Sequence, residues 1–342
     1  MRIFCPLLHR TLGDFIEQAV FAATVKEQFD RAELDVYFVD DRPYKKCVLE
    51  MLPQIDRIWR GMPIPMDWFD TAFAPPASIY PPFVEQGVNA CDLMLLPGLC
   101  KREYLPSFDR LAQFKIPEEW DHPTPKLDSW HAVLHYREPG APDRPDRVAR
   151  DVEVGDIDPV IDHVIGLGGR VVRIGHEEMS RLRERPGYAD WSRFPFESQA
   201  AAVSTARIFI ELTPSGPAAL CHGFNTPWLR ANSVILEGPT HPQDVLLPQH
   251  IFDADGVEQP TNSVIARGIF TEAGVREAGL FWRKNSVEEV VSGIDRVLSS
   301  DRASWVPPLA ARPNKFTVPP PIIRKHSVMR LGQSAEPKTL AA

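Results

Sequence analysis

The sequence predicts an α/β protein built from two doubly wound halves. Short apolar strands alternate along the chain with amphipathic helices, a pattern that is typical of parallel sheets. The same alternation begins again after the proline-rich segment DHPTPKLDS at residues 121–129. The length of 342 residues also exceeds what one hydrophobic core usually covers, so two domains are expected.

The first half is predicted to contain four strands and a long helix. Apolar runs predict the strands at residues 2–8, 35–40, 55–59 and 92–98. The segment 15–29 repeats its apolar residues at spacings of three and four, which predicts an amphipathic helix. Gly13 and Asp14 then occupy the turn before this helix, where Asp14 is placed to cap it.

The second half repeats this order. Strands are predicted at residues 130–137, 169–175 and 207–213, and helices at 157–167, at 198–205, from Pro217 onward and at 287–298. These elements give three predicted regions: an N-terminal α/β domain at 1–128, a C-terminal α/β domain at 129–305 and a proline-rich tail at 306–342.

Composition narrows the class of protein. With 44% apolar and 25% charged residues the chain is typical of globular proteins. The net charge of −8 and the absence of a Lys/Arg stripe argue against a nucleic-acid partner. The N-terminal apolar run is too short for a membrane span, and no cleavage site follows it, so a cytoplasmic protein is expected. Five cysteines without a CxxC pair predict reduced thiols and no structural zinc.

Candidate site residues follow the predicted strands, because ligands of open α/β sheets bind outside the carboxyl ends of the strands. The strand at 207–213 leads into a turn rich in small and polar residues, with a proline where the first helical turn should begin. This turn is a candidate diphosphate cradle formed by Thr213, Ser215, Gly216 and Pro217. The alternative, which stays open, is an ordinary capped strand-to-helix turn.

Each of three more side chains has two possible interpretations, one functional and one structural. Arg137 ends its strand with a guanidinium suited to phosphate, or else forms a surface ion pair. His135 shares a face of that strand with Arg137, and either contacts a ligand or fills the core. Asp14 either caps its helix or takes a proton from an incoming hydroxyl.

The common motifs for metal and phosphate binding are missing. The sequence has no GxxxxGK[ST], GxGxxG, GxSxG or HExxH motif, and no DxD arrangement accompanies Asp40 and Asp41. If a phosphate is bound, Arg137 and backbone amides are expected to bind it without a metal ion or a further cofactor.

Three segments taken in order, TLGDF, HYREPG and TPSGPAALCHGFNTPWLRAN, resemble bacterial glycosyltransferases of the GT-B architecture. The LGD and SGPAAL segments look like their counterparts in heptosyltransferases. The HxR strand, with His135 and Arg137, is similar to that of α1,6-fucosyltransferases. The closest likeness is to an uncharacterised family of bacterial glycosyltransferases.

The resemblance implies two Rossmann-like domains that face each other across a cleft, the C-terminal one binding a nucleotide sugar and the N-terminal one a glycan or small-molecule acceptor. Arg137 would neutralise the β-phosphate of the donor, and Asp14 would be the general base. Gly175, His176 and Asn232 would lie near the nucleotide's base or ribose.

The function expected on these grounds is sugar transfer from a nucleotide-diphosphate donor to an acceptor hydroxyl. One alternative is a nucleotide-sugar epimerase of similar architecture, which would need no acceptor. Another is a non-catalytic protein that binds a nucleotide or glycan. The sequence leaves the base, the sugar, the acceptor, the stereochemistry and the oligomeric state open.

Overall fold

The structure is a computed structural model whose described residues form two compact units. The first unit comprises residues of Met1–Lys115 and Arg312–Ala342, and the second comprises residues of Ile116–Ala311. The predicted boundary between the two domains falls at the end of residues 122–128, which lie outside the described residues. Of the predicted tail, only Val328–Met329 is described. The described residues are 1–7, 11–61, 91–95, 111–121, 129–138, 152, 154–233, 244–269, 272–300 and 328–329.

The described residues contain fourteen strands and eight α-helices. The strands are β1 (Arg2–Leu7), β2 (Glu33–Val39), β3 (Arg57–Gly61), β4 (Leu93–Leu95), β5 (His131–His135), β6 (Arg170–Arg173), β7 (Tyr188–Asp190), β8 (Ile208–Glu211), β9 (Trp228–Ser233), β10 (Val245–Pro248), β11 (His250–Phe252), β12 (Glu258–Gln259), β13 (Phe281–Arg283) and β14 (Val328–Met329). The helices are α1 (Leu12–Glu27), α2 (Pro43–Glu50), α3 (Ile157–Gly166), α4 (Phe196–Ser204), α5 (Leu220–Phe224), α6 (Thr261–Ala266), α7 (Glu272–Glu277) and α8 (Val287–Ser299). Short 3-10 helices span Val154–Asp156 and Gly216–Ala219.

The first unit is built around a five-stranded sheet in the order β14-β4-β1-β2-β3. Strands β1 to β4 are parallel, and β14 pairs antiparallel with β4. All four strands that the sequence predicted in this half are confirmed. The strand β14 was not predicted, because it lies in a proline-rich and polar stretch.

Helix α1 begins earlier than the sequence predicted. Thr11 is its N-cap residue, in extended conformation, so Gly13 and Asp14 lie in the first helical turn and not in the turn before it. The predicted position of Asp14 as the cap is therefore wrong. Gly13 suggested a turn, but here the buried glycine continues the helix, whose following residues from Phe15 are packed in the core.

The second unit contains a six-stranded, fully parallel sheet in the order β10-β9-β8-β5-β6-β7. Counted from β7, the strands follow the chain order third, second, first, fourth, fifth, sixth, which is the doubly wound order. The order reverses between β5 and β8. This pair of strands is the topological switch point, where ligands of such sheets bind.

Helices cover both faces of this sheet. On one face Ala132 and Leu134 belong to a core that includes Val160 of α3 and Ile294 of α8. On the other face the His131 ring meets α4, where its Nε2 lies 2.9 Å from the carbonyl oxygen of Ala202. The prediction of a doubly wound α/β fold is confirmed.

Several elements of the second unit were not predicted. They are the strands β7, β9 and β10, the helices α6 and α7, and a small antiparallel sheet in the order β12-β11-β13. The helix predicted from Pro217 is a 3-10 turn followed by the five-residue helix α5. Strand β9 is buried throughout although it carries Arg230 and Asn232, and these polar residues hide it from a hydropathy pattern.

Four of the five cysteines are described, and all four are buried thiols outside any disulfide: Cys5, Cys47, Cys91 and Cys221. Burial raises the pKa of the Cys91 thiol to about 11, which keeps it protonated and unreactive. Among the described residues, no helix combines the length and the apolar character that crossing a membrane requires.

Candidate functional site

The ends of β5 and β8 meet at the switch point of the second sheet. The Leu212 amide donates to the His135 carbonyl oxygen at 3.0 Å. The Arg137 amide in turn donates to the Thr213 hydroxyl at 3.1 Å. These two hydrogen bonds hold the half-buried Arg137 beside the turn that follows β8. The residues that the sequence predicted from two distant segments, His135 with Arg137 and Thr213 with Ser215, therefore lie together.

Ser215 lies within the turn that was predicted to cradle a diphosphate. It is the N-cap residue of the 3-10 helix Gly216–Ala219, with Pro217 in the first turn, but its side chain makes no capping hydrogen bond. Its amide donates to Glu211 Oε1 at 2.5 Å, and its hydroxyl oxygen lies 2.8 Å from His135 Nδ1 and 3.1 Å from Glu211 Oε1. The amide and the hydroxyl of Ser215 are thus both engaged within the protein.

Glu211 and Arg230 form a buried ion pair beneath this turn. The Arg230 Nε lies 2.6 Å from Glu211 Oε2, and the two side chains are 3% and 0% exposed. The guanidinium also stacks over the Trp228 ring, with 4.4 Å between its central carbon and the ring centroid. Because Arg230 offsets the charge of Glu211, the carboxylate does not present a bare negative charge to the switch point.

The His135 imidazole is neutral at neutral pH. Burial lowers its pKa to about 3, and the nearby Arg173 guanidinium contributes to the same shift. Desolvation and a neighbouring cation both disfavour the charged ring. The ring is therefore a neutral hydrogen-bonding group rather than a cation at this position.

Arg173 ends the neighbouring strand β6 and is fully buried. Its Nη1 donates to the Ser180 carbonyl oxygen at 2.5 Å and lies 3.5 Å from Asp190 Oδ2, while its Nη2 lies 3.8 Å from Glu138 Oε1. Both carboxylate oxygens of Glu138 accept the Ser180 amide, at 3.0 and 2.8 Å. This cluster joins the loop after β5 to the loop after β6, and so fixes the segment that contains Arg137.

Gly175 and His176 follow β6 at the same edge of the sheet. Gly175 has a φ of 150°, and a Cβ there would lie 2.3 Å from Met179 Sδ, so only glycine fits. Its amide donates to Gln199 Oε1 at 3.0 Å, and its carbonyl oxygen accepts from Gln199 Nε2 at 3.2 Å. The His176 side chain is 71% exposed, so it is open to a ligand in solution.

Asn232, near the end of β9, holds neighbouring segments together. Its Nδ2 donates to the Leu212 carbonyl oxygen at 2.8 Å, and its Oδ1 accepts the Asn285 amide at 2.7 Å. The Asn232 amide donates back to Asn285 Oδ1, also at 2.7 Å. A cavity of about 20 Å³ beside Asn232 admits one water molecule and not a nucleotide.

Gly13 and Asp14 belong to the first unit. Asp14 is exposed, and its carboxylate accepts a hydrogen bond from the Thr11 hydroxyl. Its predicted role as a base stays a prediction.

The sequence reasoning missed Arg173 and Arg230 as partners of the predicted site. Each is a buried cation within a strand that also carries large apolar residues, in RVVRIG and in WLRAN. A fully buried arginine needs a partner, so a charged residue in such a strand is the signal that predicts an internal polar network. Within the described parts of both units, no group of three or more His, Cys, Asp or Glu side chains is arranged to hold a metal ion.

The fold is similar to that of two solved glycosyltransferases. A glycosyltransferase family 9 protein from Veillonella parvula matches with a TM-score of 0.55 and 14% identity, over 87% of this chain and 97% of that one. The ADP-heptose LPS heptosyltransferase II of E. coli matches with a TM-score of 0.51 and 11% identity, over 87% and 98%. No family model and no curated protein matches the sequence. The chain thus has the Rossmann-like α/β fold of GT-B glycosyltransferases.

Proposed function

We propose that this protein is a glycosyltransferase that moves a sugar from a nucleotide-diphosphate donor to an acceptor hydroxyl. The observation that carries the proposal is the position of Arg137, directly after β5 at the switch point of a doubly wound sheet. Ligands of such sheets bind at this point, and the guanidinium suits a phosphate. The fold shared with known glycosyltransferases supports the same class of reaction.

In this proposal Arg137 acts on the leaving group. The bond between the sugar and the donor phosphate breaks, and negative charge develops on the departing nucleoside diphosphate. A cation held at that place stabilises the transition state more than the ground state. We assign this role to Arg137 without a metal ion, and the remaining amides of the turn at Gly216–Ala219 supplement it.

Asp14 is assigned the acceptor side of the reaction. Its carboxylate is exposed in the first turn of α1, and in this role it takes the proton of the acceptor hydroxyl. Asp14→Asn should lower the rate of transfer about 10²-fold or more, which is the usual contribution of a general base, and leave donor binding unchanged. Equal loss of binding and transfer, or no loss of transfer, would contradict this assignment.

The test measures nucleoside diphosphate release from UDP-, GDP-, ADP- and dTDP-sugars, with acceptor glycans present and with EDTA added. Arg137→Ala should lower the rate about 10²- to 10³-fold, the usual cost of removing one group that stabilises developing charge. Arg207→Ala is the matched control, since this exposed arginine precedes β8 at the opposite edge of the same sheet. A variant Arg137→Ala that transfers sugar like the wild type would refute the proposal, and loss of activity in EDTA would refute its metal independence.

Donor incubated without acceptor separates the alternatives. An epimerase would return an altered nucleotide sugar, whereas a transferase would return the donor or its slow hydrolysis product. A non-catalytic binding protein would show calorimetric binding of a nucleoside diphosphate with no turnover for any acceptor.

A further inference from the structure

The strongest further feature of the site is the hydrogen-bonded chain from Arg230 to His135. Arg230 Nε lies 2.6 Å from Glu211 Oε2, and the other oxygen of Glu211 lies 3.1 Å from the Ser215 hydroxyl. That hydroxyl oxygen in turn lies 2.8 Å from His135 Nδ1. Arg230 lies on β9, Glu211 and Ser215 at and after the end of the neighbouring β8, and His135 at the end of β5, so the hydrogen-bonded chain terminates on the imidazole at the switch point.

The order of donors in this chain fixes the tautomer of His135. Ser215 has one hydroxyl proton, and its two neighbours are a carboxylate oxygen and an imidazole nitrogen. Because Arg230 pairs with Glu211, that carboxylate only accepts, and hydrogen bonds to ionised acceptors are about twice as strong as neutral ones. The Ser215 proton therefore lies toward Glu211. His135 Nδ1 then carries a proton and donates it to Ser215, because two facing lone pairs at this distance would repel.

The tautomer leaves a lone pair on the other ring nitrogen, Nε2. The ring is neutral, since burial and Arg173 hold its pKa far below the ordinary value for histidine. The Cδ2 atom beside Nε2 lies 3.7 Å from where a Cβ on Gly175 would be, so this edge of the ring faces the turn after β6. Within the part of the chain that the structure describes, no group hydrogen-bonds Nε2, and 8% of the residue is exposed.

A neutral acceptor at this position selects for a particular kind of ligand group. A phosphate oxygen offers only lone pairs, so it gains nothing from Nε2. A hydroxyl group can donate its proton to Nε2. We propose that His135 recognises a sugar hydroxyl of the ligand through Nε2, and that Ser215, Glu211 and Arg230 are positioning residues that set its tautomer. The identity of the ligand rests on the proposed function, whereas the tautomer does not.

The tautomer can be measured without any ligand. Long-range proton–nitrogen NMR of protein labelled with ¹⁵N-histidine distinguishes Nδ1–H from Nε2–H rings by their nitrogen shifts, and His135→Phe identifies the signal. The wild type should show the Nδ1–H form, and Ser215→Ala should shift the ring toward the Nε2–H form. A wild-type ring with the proton on Nε2, or a Ser215→Ala spectrum like that of the wild type, would overturn the assignment.

The variant His135→Phe is expected to fold. Phenylalanine places an aromatic ring at the same position, and Ser215 still donates to Glu211, so no buried donor loses its partner. Circular dichroism and the melting temperature of the variant check this, and Ser215→Ala serves as a second variant that keeps the imidazole.

The ligand is tested with paired analogues that differ by one hydroxyl. One arm compares a ribonucleoside diphosphate with its 2′- and 3′-deoxy forms, and the other compares a nucleotide sugar with its deoxy-sugar forms. The wild type should bind the parent about three- to tenfold more tightly than one of the deoxy analogues, and His135→Phe should bind both equally. If the variant discriminates against every deoxy analogue as the wild type does, the recognition role is refuted.

The two proposals fail in different ways. If no nucleoside diphosphate binds the wild type, the proposed function and the recognition of a ligand hydroxyl both fail, and the NMR result alone decides the tautomer. If nucleotides bind and no deoxy analogue is discriminated, only the role of His135 fails.

Discussion

The two sides of strand β5 handle a buried arginine in different ways. Toward β8 and β9, Arg230 pairs with Glu211 at 2.6 Å, and both side chains are almost fully buried. Toward β6 and β7, the buried Arg173 reaches Asp190 at 3.5 Å and Glu138 at 3.8 Å, and these carboxylates are 30% and 16% exposed. Among the described residues, Arg173 Nε and Nη2 have no hydrogen-bond acceptor.

We call the network of Arg230 closed, because both charged partners are buried, and that of Arg173 open, because its two carboxylates are partly exposed to solvent. If either Glu211 or Arg230 is removed, the charge of the other stays buried and cannot be hydrated. Breaking this pair therefore costs much stability. Asp190 and Glu138 can be hydrated if Arg173 is removed. We therefore expect the side toward β8 to fix the site's geometry, and the side toward β6 to tolerate change at lower cost.

The largest expected effect is that of breaking the closed pair. Glu211→Leu should lower the free energy of unfolding by about 3–5 kcal/mol, because it leaves Arg230 charged and buried. Adding Arg230→Met should restore most of this stability, since an apolar pair of similar volume has no charge to hide. Urea denaturation measures both values.

The control for this pair lies on the surface. Arg60 and Asp40 are 52% and 41% exposed and lie 3.5 Å apart, so Asp40→Asn should change stability by less than about 0.5 kcal/mol. If the double variant at positions 211 and 230 is as unstable as Glu211→Leu alone, the loss comes from packing and not from the uncompensated charge.

The open side should give a smaller effect. Arg173→Met should cost about 1–2 kcal/mol of stability, because Glu138 and Asp190 remain solvated and only the hydrogen bond to the Ser180 carbonyl is lost outright. The same urea titration measures it. A loss as large as that of Glu211→Leu would remove the distinction between the two sides.

The pH dependence of stability tests whether the His135 imidazole is neutral in the folded protein. The pKa of His135 is lowered by burial to about 3, so below pH 6.5 the unfolded state binds a proton that the folded state does not. Stability should therefore fall as the pH drops from 6.5 toward 3, by about 1.4 kcal/mol at pH 5.5 relative to pH 7.5. Thermal unfolding as a function of pH should show this fall in the wild type and a shallower one in His135→Phe.

His250 provides a control of opposite sign. Hydrogen bonding to Glu258 and Glu289, at 2.6 and 2.8 Å, raises its pKa. Its contribution to stability is complete below pH 6.5 and is lost as the pH rises through the raised value. His250→Ala should therefore destabilise the protein more at pH 6 than at pH 9. A His135→Phe variant with the same pH profile as the wild type would contradict the assigned neutral ring.

Much of the fold could be predicted from the sequence because its cores follow simple patterns. The apolar runs of β1, β2, β5 and β8 and the periodicity of α8 all appear in the structure close to the predicted bounds. Strand β9 was not predicted because its buried Arg230 and Asn232 are polar. The start of α1 was predicted too late because Gly13 was interpreted as part of a turn, although a helix tolerates a glycine.

The location of the candidate site could also be predicted, but its internal bonding could not. Strand ends of a parallel sheet meet at one edge, so His135, Arg137 and Ser215 were expected near each other. The contact between Ser215 and His135 spans 80 positions, and no local pattern encodes which atom of the ring faces the hydroxyl. The position of Glu211 at the end of its strand can be seen in the sequence. Its ion pair with Arg230 on the neighbouring strand can be seen only in the structure.

Calorimetric titration of nucleoside diphosphates and monophosphates into the wild type, Arg137→Ala and the control Arg207→Ala tests the central claim most directly. The account predicts that the wild type and Arg207→Ala bind one diphosphate at least tenfold more tightly than its monophosphate, and that Arg137→Ala loses this preference. Equal preference for the diphosphate in Arg137→Ala, or no nucleotide binding by the wild type, would contradict it.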